Sequence, residues 1–90
     1  MIEMIKVVKA EAVGDHLLHV VFSNGSEGVH DFADIVGEEG PMVEPLRDAA
    51  FFARVYLDYG APSWPNGFDV DAIWLHDAMK ALGLLRPAAA

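Results

Sequence analysis

Residues 63–77 read SWPNGFDVDAIWLHD and bring Asp69, Asp71, His76 and Asp77 into one short stretch. Carboxylates beside an imidazole are the donor types of a metal centre or an acid–base pair. A site needs convergence, however, and the apolar spacing that follows predicts a helix. His76 and Asp77 then point about 100° apart, and His76 lies more than a turn beyond Asp71. Capping explains the aspartates completely. Asp71, or Asp69 if the helix starts earlier, can accept from the first free N–H groups, and its charge meets the positive end of the helix dipole. No metal site and no cofactor is expected.

A second pair of imidazoles comes from a hairpin. The runs HLLHVVF and SEGVHDF are joined through Ser23-Asn24-Gly25-Ser26, and Asn-Gly between β-rich runs signals a two-residue type I′ turn. With Asn24 and Gly25 as the loop, Ser23 faces Ser26, Phe22 faces Glu27, Val20 faces Val29 and His19 faces His30. Alternation then puts Leu18, Val20, Phe22 and Val29 on the core face. Leu17, His19, Val21 and His30 share the other, as an apolar strip holding two histidines. The imidazoles, roughly 5 Å apart at Cβ, should resist being charged together. Two histidines alone leave a tetrahedral zinc site half empty. Leu17, His19, Val21 and His30 are therefore interface candidates, a strip that a second copy or a partner would cover. His16 adjoins a turn and is expected to be solvated.

Trp64 and Trp74 could stack a planar ligand, which makes them pocket candidates, although a lone tryptophan beside a turn or on a helix more often closes a small core. No phosphate loop, nucleophile elbow, His-Glu-x-x-His pair or calcium-loop spacing occurs in the sequence, so no catalytic residue is assigned. Glu38 and Glu39 fall in a Gly- and charge-rich segment without a partner to tune them.

Composition narrows the field further. The chain has 90 residues, six Lys plus Arg against fourteen Asp plus Glu, a formal charge of −8 and no cysteine. Such acidity repels phosphate backbones, so direct binding of nucleic acid is not expected, whereas a basic partner is permitted. Without cysteine there is no disulfide or thiolate chemistry. The N-terminal MIEMIKVVKAEAV alternates apolar and charged residues and has no leader-like apolar run. No segment approaches the roughly 20 apolar residues of a membrane helix. A soluble cytoplasmic protein is the expectation.

The elements that must position these groups follow from periodicity. IKVVKAEAV, HLLHVVF and SEGVHDF form a three-stranded meander. DFADIV reads as a short helical turn, and VEPLRDAA as a short middle helix with Pro45 in its first turn. FFARVYLDY has period two, with Phe51, Ala53, Val55 and Leu57 on one face, and reads as a fourth strand. Ala61 to Trp64 returns as a fifth, at an edge or irregular because of Pro62. Leu75, Ala78, Met79 and Leu82 form the core stripe of a C-terminal helix, with His76, Asp77 and Lys80 facing solvent and Gly83 as its cap. The fold class is α+β. A single domain spans residues 1–85, with a frayed tail at 86–90.

In that order the chain resembles the bacterial domain-of-unknown-function 2442 family. The resemblance rests on HVVFSNG with VHDF, then PLRDAAFFARVYLD, then SWPNGFDVD, and covers almost the whole chain. Asn24 and Gly25, with Trp64, Pro65, Asn66, Gly67, Asp69 and Asp71, form its structural signature. Pro62 in a strand position, Trp74 and His76 depart from the family's usual residues. Periodicity thus gives a small antiparallel sheet of about five strands, a meander plus a hairpin, and the resemblance implies a compact α+β domain with a small antiparallel sheet, packed helices and no established catalytic residue. It also implies a bacterial setting, often beside a small basic partner protein in a toxin–antitoxin-like pair. Some relatives carry a helix-turn-helix after this domain; none is expected in this chain.

The leading expectation is a non-catalytic protein-interaction or regulatory module, the acidic member of such a pair or a homo-oligomer. The alternatives are a small metal-dependent enzyme using His19 and His30, and a small-ligand-sensing domain near Trp64 and Trp74.

Overall fold

The computed structural model describes residues 4–87. Strands β1 (Val7–Gly14), β2 (Leu17–Phe22) and β3 (Ser26–Asp31) form an antiparallel meander. Helix α1 (Ala33–Val36), a 3₁₀ turn (Glu44–Arg47) and α2 (Ala49–Phe52) follow, then the hairpin β4 (Tyr56–Asp58) and β5 (Ala61–Ser63). Helix α3 (Ala72–Ala81) and the two-residue strand β6 (Arg86–Pro87) complete the order. The protein is α+β, with one sheet ordered β1-β2-β3-β6 and a separate two-stranded sheet of β4 and β5. No helix among the described residues is long and apolar enough to cross a membrane.

The meander forms as its alternation requires, with Leu18, Val20 and Phe22 fully buried. The turn into β3 differs from the two-residue expectation. Leu18 pairs with His30, His19 with Val29 and Val20 with Gly28, one residue away from the type I′ register. Gly25 N donates to Phe22 O at 3.0 Å, and Gly25 has φ 87° whereas Asn24 is not in the left-handed region. This is a three-residue loop, a tight turn followed by a left-handed glycine. Asn24 works through its side chain, its Oδ1 accepting from Ser26 N at 3.1 Å. The same device closes residues 64–68: Gly67 N donates to Trp64 O at 2.9 Å and Asn66 Oδ1 accepts from Phe68 N at 3.2 Å.

The middle of the chain corrects two further expectations. Residues of VEPLRDAA divide between the 3₁₀ turn and α2, because Asp48 is extended (ψ 118°) and its side chain caps α2 by accepting from Ala50 N. Phe51 and Phe52 are therefore helical, and the expected strand over 51–59 shrinks to Tyr56–Asp58. Burial decides the matter, since Phe52 enters the core beside Phe32 and Trp64, with ring centroids 5.6 Å from each. His16 is not merely solvated: its Nε2 donates to Leu46 O at 2.9 Å, tying the β1–β2 turn to the 3₁₀ segment.

Helix α3 buries Ala72, Leu75 and Met79. Its end forms a paired-bond cap, with Leu84 N donating to Met79 O at 3.0 Å and Gly83 N to Lys80 O at 3.1 Å, around Gly83 at φ 71°. The chain turns there, so Leu82 leaves the expected core stripe and is 65% exposed. Arg86 and Pro87, expected in the frayed tail, pair with Glu27 and Ser26, and Arg86 Nε donates to Glu27 Oε1 at 3.1 Å. The rest of that tail lies outside the described residues.

Candidate functional site

The one-residue change of register redistributes the interface candidates. Leu17, His19 and Val21 remain on the outer sheet face, half-buried, and are joined there by exposed Val29. His19 Nε2 lies 3.4 Å from Glu27 Oε2, the carboxylate that also receives Arg86. His30 is on the opposite, core-facing side. The His19–His30 pair therefore does not form, and the two imidazoles cannot share an ion. Among the described residues no group of three or more His, Cys, Asp or Glu side chains could hold a metal.

The tryptophans separate as well. Trp64 is wholly buried, and its Nε1 donates to Phe52 O at 2.8 Å, so it closes the core and walls no pocket. The rest of the signature supports that closure. Asn66 Nδ2 donates to Met42 O at 2.9 Å, and an isolated bridge joins Ser63 to Asp69. Asp71 caps α3 as expected, accepting from Trp74 N at 2.8 Å. Trp74 itself is 49% exposed.

Trp74 belongs to a groove that residue spacing alone did not reveal. On α3, Trp74, Ala78 and Leu82 recur every four residues and share one helix face, distinct from the Leu75–Met79 face that meets the core. Across from them stand His30 and Asp31 from the end of β3 and Asp34, Ile35 and Glu38 from α1 and its exit, around a cavity of about 450 Å³. A neighbouring cavity of about 270 Å³ adds Asp69 and Asp71 and shares Trp74, Ile35 and Glu38. Arg47 holds the exit of α1 in place, donating to Val36 O at 2.8 Å and Glu38 O at 3.0 Å.

The charge on this groove is one-sided. Asp31, Asp34, Glu38, Asp69 and Asp71 line it, and no lysine or arginine does. None of the five carboxylates has an ion-pair partner among the described residues. Asp31 and Asp71 each spend an oxygen on a helix start, Asp31 accepting from Ala33 N at 2.8 Å. At the inner wall His30 is 8% exposed, its ring edge-on to Phe32 at 5.1 Å and to Trp74 at 6.5 Å. Its buried Nδ1 has no hydrogen-bond partner among the described residues. Burial lowers its pKa below the ordinary 6.5, against the opposing pull of Asp31 and Asp34. The groove thus offers an apolar floor, an acidic rim and a neutral imidazole.

A family model described as "Protein of unknown function (DUF2442)" matches residues 7–80. The matched span runs from the start of β1 through Trp74 and Ala78 and stops before Leu82 and Leu84. No curated protein and no solved structure matches the chain.

Proposed function

The chain belongs to the DUF2442 family, and from that premise we propose that it is a non-catalytic protein-interaction module whose groove beside Trp74 receives a basic, partly apolar segment of a partner protein. One observation carries the reading: five carboxylates, with no cation among the described lining residues, stand around an exposed apolar ridge. Unpaired charge of one sign around apolar surface supplies both steering and burial to a partner of opposite charge. A chain of net charge −8 is then the acidic member of a two-protein pair.

The outer sheet face is the weaker choice for such a partner. Its charge is mixed, since Glu27 is bracketed by His19 and Arg86 and the face also carries Glu11 and Lys9 across from His19 and Val21, so no field of one sign is there to recruit a cation. The apolar Leu17, Val21 and Val29 there fit a second copy better than a basic protein.

The test uses two synthetic peptides of the same Lys/Leu composition, one patterned at helix spacing and one strictly alternating, with Lys-to-Glu counterparts of each. Binding is followed by tryptophan emission and calorimetry. At least one Lys/Leu peptide should saturate the protein, weakening about tenfold or more between about 50 and 500 mM salt. Asp34→Lys with Glu38→Lys should abolish that binding without lowering Tm. Equal binding of the Glu counterparts, or no effect of the double variant, would overturn the proposal.

A further inference from the structure

Building on the interaction reading, we infer that the occupant of the groove is an amphipathic α-helix, laid against α3 with a side chain seated over Ala78. The α3 ridge is itself the first argument. Trp74, Ala78 and Leu82 lie at i, i+4 and i+8 and run about 12 Å along the axis. That row of three at four-residue spacing is the kind of ridge against which a second helix packs. Ala78 is the small residue between two large ones, and so leaves a notch for a knob from the partner.

Backbone chemistry is the second argument. An extended segment must find main-chain partners at a sheet edge. On the exposed side of β3, β6 already occupies Ser26 and Glu27, and Leu84 lies against Gly28. Only the last residues of β3 remain, fewer than the five or so of an ordinary strand. A helix satisfies its own backbone and needs only side-chain contacts, which Trp74, Ala78 and Leu82 offer.

The third argument is His30. It forms part of the groove wall, is more than nine-tenths buried and has a ring nitrogen with no partner among the described residues. That nitrogen is closed off, and what the ring turns to the groove is a small neutral surface beside Trp74. Basic side chains flanking the helix's apolar stripe would reach Asp31, Asp34 and Glu38, and the stripe itself would lie on Trp74 and the edge of the imidazole.

The Lys/Leu peptides decide between helix and strand. The helix-patterned peptide should bind at least about tenfold more tightly than the alternating one, and a central proline should remove that advantage. Circular dichroism should show the peptide gaining helix on binding. Ala78→Leu, which fills the notch, and Leu82→Glu, which breaks the ridge, should each weaken the helical peptide about tenfold while Tm holds. If the alternating peptide binds as well or better, with the same sensitivity to salt and to Asp34→Lys/Glu38→Lys, the helix inference fails and the interaction reading stands. If neither peptide binds, both fall. Saturation by spermidine with the same response to Ala78→Leu would make the occupant a small organic cation and would overturn the helix.

Discussion

Leu18 and His30 stand directly across from each other on β2 and β3, both turned toward the buried side of the sheet. The pairing places a titratable ring among Phe32 and Trp74 and has a consequence for pH. Burial lowers the His30 pKa below 6.5, with Asp31 and Asp34 opposing it. Well above 6.5 the ring is neutral in folded and unfolded chains alike, so stability carries no His30 dependence there. As pH falls below 6.5 the unfolded chain takes the proton first and stability drops, until the folded ring is charged as well. Urea unfolding of wild type and His30→Leu at pH 7.5 and 5.0 isolates this contribution. Wild type should lose more stability than the variant over that interval, and parallel losses would contradict the assignment.

Two glycines should respond differently to alanine. Gly25 has φ 87° with nothing within 4 Å of an added Cβ, so Gly25→Ala should cost about 1–2 kcal/mol through backbone strain alone. At Gly28 a Cβ would run into the Leu84 carbonyl and come within 3.0 Å of Met79 Cε. Gly28→Ala should also cost about 1–3 kcal/mol, here through overpacking. It should in addition loosen β6, read as faster amide exchange at Glu27 and Arg86. Unchanged exchange there would show that the contact relaxes locally.

Asp71→Ala should lower stability by about 1 kcal/mol, because the Trp74 amide loses its acceptor, whereas Asp71→Asn should remain within a few tenths. Chemical denaturation of the two variants checks this. Equal losses in both would point to charge rather than the cap.

The tryptophans should quench as two populations. Trp64 is fully buried and hydrogen-bonded, Trp74 is half exposed. Acrylamide should therefore quench roughly half the emission readily, and Trp74→Phe should leave only a protected, blue-shifted emitter. An accessible emitter persisting in Trp74→Phe would contradict the burial of Trp64.

Local signals in the sequence determined much of this protein. Alternation in LLHVVF buries Leu18, Val20 and Phe22, Asp71 caps α3, and Gly83 ends it with the paired bonds its position requires. These depend on neighbours within a turn or a hairpin and can be read one residue at a time. The position of the Asn24-Gly25 turn was legible, but not its loop length. A loop of three residues instead of two inverts every side chain of β3, because the strand period is two. Asn24 tolerates either backbone form, and in the observed one its Oδ1 accepts from Ser26 N while Gly28 packs against Leu84 and Met79. The groove was decided by tertiary structure alone. Its acids come from β3, α1 and the entry to α3, separated by long stretches of chain. Phe52 drawn into the core as a helical residue, and Trp64 closing over it, are long-range burial overriding a period-two pattern. Periodicity reports which face of an element is apolar; which faces are left uncovered, and which charges gather beside them, is settled only when the elements pack.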